Sequence, residues 1–186
     1  MSVLNIEPYC LPIVIDEPKI TKPIKHKFCN DNVYNTILDL IKARGLTLKK
    51  PTLTNEIQTD KIIFLYTDCY KLNVNYIKNC INHVIKHGFN HVVIVYKQNI
   101  TTSVKKIIEL SELIKFEIFK ETELYFNVLK HDLVPEHCIS IDFKTTKHNL
   151  PIILHTDPVI KFLGIKRGQV VKIKRNDGTL SFRLVK

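Results

Sequence analysis

Three short apolar runs limit the fold of this chain more than any other feature. They are Lys61–Thr67, His91–Lys97 and Lys115–Phe119, and each is the length of a strand. The second contains Val92-Val93-Ile94-Val95-Tyr96 without a charged break. A strand that does not alternate polar and apolar residues is covered on both faces, as in parallel sheets between layers of helix. The stretches around the runs supply those helices. Over residues 31–44, Val33, Ile37, Leu38, Leu40 and Ile41 share one helical face, with Asp31 as cap and Gly45 as stop. Residues 75–87 turn Ile77, Ile81, Val84 and Ile85 inward and stop at Gly88. Residues 102–113 place Val104, Ile107, Ile108 and Leu110 on one side. Residues 30–130 therefore read as an α/β domain, a parallel-type sheet with helices on both faces.

The texture changes at Val134, and residues 131–186 read as a small, mostly-β domain. Asp157 is an N-cap and Pro158 suits the first helical position, where its missing N–H costs nothing. Gly164 ends that short helix. Gln169–Arg175 and Leu180–Val185 form a hairpin about the turn Asn176-Asp177-Gly178-Thr179. Gly168 falls in a tight turn before the first of these strands, where an added β-carbon is expected to clash. At the other end, residues 1–29 carry Pro8, Pro12, Pro18 and Pro23 among apolar residues. Proline fixes φ and removes donors, so no long helix or central strand fits there. This segment is either an extended arm packed on a neighbour or an unstructured terminus.

Composition removes several function classes. The 186 residues can bury a sizeable core without a disulfide or metal. Cys10, Cys29, Cys69, Cys80 and Cys138 include no C-x-x-C pair, which argues against a zinc site and for reduced thiols. No apolar run approaches the ~20 residues of a membrane span, so no membrane partner is expected. The N-terminus, with Glu7 and Asp16, does not read as a signal peptide. The net charge of +10 favours a polyanion partner, nucleic acid first. Lysine is also frequent beside isoleucine and asparagine, as in AT-rich coding, and that alternative explains much of the excess equally well.

Chemical motifs are sparse. There are five glycines in all and no phosphate-binding glycine loop, so no nucleotide or other small-molecule substrate is expected. The carboxylates are scattered, unlike the paired acids that hold two metals in a nuclease. His83 and His87 can share a helical face, but no H-E-x-x-H glutamate accompanies them. Cys69, beside Asp68, has no base assigned to it by sequence and reads as an ordinary thiol. No catalytic residue, metal or cofactor is expected on this chain. Thr101-Thr102-Ser103-Val104-Lys105 opens a helix after a strand, either as a plain cap or as a phosphate-facing terminus. Lys161, Lys166, Arg167, Lys172, Lys174, Arg175 and Arg183 make the C-terminal region basic. There Lys172 and Lys174 alternate with Val171 and Ile173, the polar-out pattern of a half-buried hairpin.

Two segments carry a resemblance. His131-Asp132-Leu133-Val134-Pro135-Glu136-His137 and residues 157–173, DPVIKFLGIKRGQVVKI, resemble the assembly domain of the fifth common subunit of eukaryotic RNA polymerases and of its archaeal counterpart. Leu150-Pro151-Ile152 and Phe182-Arg183-Leu184-Val185 extend the match. Further back, Arg44-Gly45-Leu46 and residues 91–110 resemble the jaw domain of the eukaryotic members. Residues 138–149 are shorter than the family's usual segment, and residues 1–28 have no counterpart. That trimming looks like the polymerase of a large DNA virus, which would place the protein in virion and host cytoplasm; a cellular subunit would sit in the nucleus.

The resemblance implies a non-catalytic polymerase subunit that works beside other subunits and downstream duplex DNA. Docking on the largest subunit would use His131, Pro135, His137, Pro151, Asp157, Pro158, Gly164, Gly168, Val170, Lys172 and Arg183. The family's Thr-Pro-Ser-Ala turn, near DNA, is matched here by Thr101, Ser103 and Lys105, with Thr102 and Val104 replacing proline and alanine. The rival readings are a stand-alone DNA-binding transcription regulator of the same fold and a free-standing α/β enzyme; the second lacks the acids or glycines it needs.

Overall fold

The computed structural model describes residues 30–50, 55–69, 71–140 and 149–186. The proline-containing arm and most of the shortened 138–149 segment lie outside the described residues. Helix α1 spans Asp31–Ala43, strand β1 Leu48–Lys50, β2 Glu56–Thr59, β3 Ile63–Thr67 and β4 Lys71–Leu72. Then come α2 (Val74–Lys86), β5 (His91–Tyr96), β6 (Asn99–Ile100), α3 (Thr102–Leu110) and β7 (Lys115–Lys120). A 3-10 turn over Glu121–Leu124 and another over Val128–Lys130 lead to β8 (Glu136–Ile139), β9 (Ile152–Ile153), α4 (Pro158–Leu163), β10 (Val170–Lys174) and β11 (Leu180–Val185).

The first sheet has the order β1-β2-β3-β5-β7. The three apolar runs form its parallel part, with β5 between β3 and β7. Alternate side chains divide between two cores. Phe64, Tyr66, Val93, Val95 and Phe119 pack under α1, while Ile63, Leu65, Val92 and Ile94 pack under α2 and α3. Helices thus cover both faces, as the unbroken apolar runs require. The sheet is not purely parallel: β2 runs antiparallel to β3 and β1 antiparallel to β2. The predicted strand from Lys61 begins two residues later because Thr59 closes a turn. Its backbone N–H and hydroxyl both donate to the Ile62 carbonyl, at 3.0 and 2.7 Å. The cap of α1 is Asn30, not Asp31; its side chain accepts from the Asn32 N–H at 3.0 Å. Helix α3 ends at Leu110, short of Leu113, where the Ser111 hydroxyl donates to the Ile114 carbonyl at 3.1 Å and turns the chain into β7.

The second sheet has the order β8-β10-β11-β9. Its predicted hairpin pairs Val171 with Arg183 and Lys172 with Phe182. Val171, Ile173 and Val185 close a small core with Ile160 of α4 and Ile165. Phe162, also on α4, turns the other way and completes the α1 side of the first core.

Candidate functional site

Three places gather the residues singled out above. The first is the start of α3. Strands β4 and β6 pair in parallel, Lys71 with Asn99 and Leu72 with Ile100, just before the N-termini of α2 and α3. Thr101 caps α3, its hydroxyl accepting from the Val104 N–H at 3.3 Å. Val104 is fully buried, which turns Thr102, Ser103 and Lys105 out to solvent. Asn73 caps α2 in the same way through Tyr76, at 2.9 Å. Both helices therefore begin at the carboxyl edge of the parallel strands, among the exposed lysines Lys71, Lys105 and Lys106. Donor ends and cations on one edge favour a polyanion, at the level of backbone phosphates.

The second place is the outer face of the small sheet. Cross-strand partners share a face, so Val170, Lys172 and Lys174 lie with Leu184, Phe182 and Leu180, away from α4. Ile152 pairs with Leu184 and extends this row. Leu180 is 52% exposed and Ile152 49%. The lysines do point outward, as their alternation predicts, but the face they share is largely apolar. Arg183, opposite Val171, lies on the α4 face, so the structure does not bring it together with Lys172.

The remaining C-terminal candidates hold the domain in shape. Asp157 caps α4, accepting from the N–H groups of Val159 and Ile160 at 2.9 and 3.3 Å, and Pro158 takes the first helical position. The His137 ring donates through Nδ1 to the Pro135 carbonyl at 2.7 Å, and His131 Nδ1 accepts from the Leu133 N–H at 3.3 Å. The Pro151 carbonyl accepts from the Leu184 N–H at 2.9 Å. Gly168 has φ +82°, and a β-carbon there would meet nothing within 4 Å. The expected clash is absent; the left-handed backbone is what calls for glycine.

The third place joins the two sheets, and of its residues the sequence marks Arg44, in the Arg44-Gly45-Leu46 motif, and Gly164, but not their contact. Arg44, just past the end of α1, is 6% exposed in its side chain. Its guanidinium donates to the carbonyls of Phe162 and Lys161 at 2.9 and 2.8 Å, and to Glu117 Oε2 at 2.8 Å. Those carbonyls belong to the C-terminal turn of α4, whose dipole favours a cation. Glu117, on β7, also meets His91 Nε2 at 2.9 Å and Lys115 Nζ at 2.7 Å. Burial pushes the Glu117 carboxyl up, but the His91 hydrogen bond, the Arg44 charge and Lys115 outweigh it and hold it well below the usual carboxylate range. Gly164, with φ +68°, lies under this cluster; a β-carbon there would stand 2.8 Å from Arg44 Cζ. Lys161 adds a contact over the Phe119 ring at 4.5 Å.

A cleft of about 540 Å³ opens beside the junction, lined by Arg44, His91, Glu117, His137 and Leu163 among others. Arg44, His91 and Glu117 are committed to one another there, and His137 to the Pro135 carbonyl. The thiol of Cys138, which also lines the cleft, reaches the Lys172 carbonyl at 3.8 Å. The rings of His83 and His87 do meet, tilted at 53° with centres 4.5 Å apart, but His83 bonds Glu56 at 2.8 Å and His91 belongs to Glu117. Among the described residues no group of three histidines, cysteines or acids stands close enough to hold a metal ion. Cys69 is exposed two residues past β3, and burial pushes the Cys80 thiol up to about 11, far from a reactive thiolate.

Comparison with known proteins bears on the same regions. The family described as RNA polymerase Rpb5, C-terminal domain, matches residues 126–185. Subunit rpabc1 of DNA-directed RNA polymerases I, II and III from Dictyostelium discoideum is 35% identical over 133 residues, 65% of this chain and 68% of its own length. The Caenorhabditis elegans subunit of that name is 30% identical over 145 residues, 70% of this chain and 69% of its own. The Arabidopsis thaliana DNA-directed RNA polymerase subunit 5-like protein 1 is 33% identical over 186 residues, 79% of this chain and 89% of its own. The match thus runs beyond the small β domain into the α/β portion, and the chain belongs to the Rpb5 family of RNA polymerase subunits.

Proposed function

We propose that this protein is a non-catalytic, structural subunit of a multisubunit DNA-directed RNA polymerase. Residues 131–186 act as its assembly domain and dock on the largest subunit. Residues 30–130 form a jaw whose α3 terminus faces downstream duplex DNA. The chain itself carries no cofactor. The supporting observation is the outer face of the small sheet, where Ile152 and Leu180 stand half-exposed beside Phe182 and Leu184. A face of this kind, within the region matched to the family, suits a partner surface and not solvent.

Docking is tested by co-expression with the largest subunit and pull-down. The intact chain should recover it, and deletion of residues 157–186 should abolish recovery. Leu180→Glu with Ile152→Glu places two charges in the contact without touching either core. It should weaken capture by at least tenfold, about 1.4 kcal/mol, while the isolated chain stays folded. Full recovery by the double variant would remove this face from the interface. A native protein that purifies alone and binds DNA would favour the stand-alone regulator.

A further inference from the structure

Strand β7 ends the first sheet among the described residues. Among the described residues it pairs with β5 alone, whereas β3 is covered by strands on both sides. Burial falls off accordingly: every residue of β3 is buried, but Phe116, Glu117 and Ile118 are only half-covered. A groove of about 550 Å³ runs along that edge, between β7 and residues 155–167. Phe116, Ile118 and Ile165 give it an apolar lining; Glu117 and Glu123 line it too, paired with Lys115 and Lys161, and Lys166 and Arg167 add two further cations. Lys161 is engaged with Glu123, at 2.5 Å, and Arg167 meets the ring of His155, at 2.9 Å. The site is therefore an open strand edge with apolar lining and cationic surroundings. An uncovered edge of this composition invites a further strand.

The chain contains a segment that fits it. Residues 1–18 hold three acids, Glu7, Asp16 and Glu17, and no lysine or arginine, although the whole chain has 28 basic residues. Within them, Ile13-Val14-Ile15-Asp16-Glu17 lies between Pro12 and Pro18. Prolines at both ends of a five-residue apolar-acidic run suit an edge strand, which tolerates them outside the ladder. The tether is long enough. Thirteen residues from Glu17 to Asn30 reach up to about 43 Å at ~3.3 Å each. Helix α1 is about 20 Å long, and Arg44 beyond its far end touches β7, so Asn30 lies within about 30 Å of the groove. The opposite edge of the sheet is a poorer host: β1 has three residues, two of them lysine, and an irregular register.

We infer that residues 13–17 of this same chain add to the free edge of β7 as an extra strand, with the acidic end of the segment toward Lys166 and Arg167. This assignment is independent of the polymerase reading, because it concerns the isolated chain.

The test is hydrogen exchange, read by mass spectrometry, on the full chain and on a variant lacking residues 1–18. The full chain should protect the amides of β7, and the truncation should speed their exchange by about tenfold or more while β3 and β5 stay unchanged. A synthetic peptide of residues 7–18 added to the truncated chain should restore protection, and the same peptide with Asp16→Lys and Glu17→Lys should not. The full-length Asp16→Lys/Glu17→Lys variant, which leaves every described residue intact, should exchange like the truncation. Equal β7 exchange in full and truncated chains would overturn the proposal. So would protection that arises only after assembly with a partner, which would give the groove to a segment of another protein.

Discussion

Replacing Arg44 with alanine should separate the two sheets energetically. The guanidinium is buried and makes three charge-assisted hydrogen bonds of 2.8–2.9 Å. Breaking a buried ion pair from one side costs about 3–5 kcal/mol when the other charge is stranded. Glu117 would not be fully stranded, because His91 and Lys115 remain within 2.9 Å, so its share falls to roughly 1–2 kcal/mol. The carbonyls of Lys161 and Phe162 lose their donor, but the adjoining cleft can admit water, so each adds about 0.5–1 kcal/mol. The sum is about 3 kcal/mol. With a urea m-value near 2 kcal/mol/M for a chain of this size, the midpoint should fall by about 1.5 M. Equilibrium urea unfolding, followed by far-UV circular dichroism, reads the shift. Arg44→Lys keeps the charge but not the planar fork and should recover about half. A double-mutant cycle with Glu117→Gln should give a coupling of about 1–2 kcal/mol. A loss under about 1 kcal/mol for Arg44→Ala, or strict additivity in the cycle, would refute the claim that this residue holds the sheets together.

Glu117 has a folded pKa below its ordinary value of 4.5, so its stabilisation is complete above about pH 4.5 and lost as pH falls toward the folded value. The urea midpoint should therefore drop between pH 5 and 3 by more in the native chain than in Glu117→Gln. Gly168→Ala should cost about 1–2 kcal/mol, because the left-handed φ and not space sets the penalty; a loss near zero in urea unfolding would contradict this. Lys105→Glu should leave assembly intact and lower the salt slope of DNA retention in stalled elongation complexes by about 1, measured as lifetime over a salt series.

The α/β portion was legible because unbroken apolar runs and helical periodicity are local signals. Val92–Val95 could only be a doubly covered strand, and its neighbours at Ile63–Thr67 and Lys115–Lys120 followed. Strands β1 and β2 escaped because Leu48-Lys49-Lys50 has one apolar residue and the β2–β3 turn rests on the Thr59 hydroxyl, which has no pattern of its own. At the small sheet, the outward lysines were readable, but the apolar row beside them needed the hairpin register carried across to Leu180, Phe182 and Leu184. Arg44 was visible only as part of a short motif. Its partners are backbone carbonyls and a carboxylate 73 or more residues away, and such contacts leave no periodic trace.

Phe162 completes the core beneath α1, yet it lies 118 residues beyond Arg44. A ribosome therefore releases every strand of the first sheet well before the side chain that fills its core. Until then the nascent α/β portion carries a gap where a phenylalanine belongs, and its α1 terminus holds a cation without the carbonyls it will bind. Losing a core phenylalanine costs about 3–5 kcal/mol, a large fraction of the stability of a typical domain. The first half of this protein is then expected to reach its final strength only as α4 emerges and docks. A chain stalled or cut before α4 is therefore expected to be weaker and more readily cleaved by proteases than the finished one.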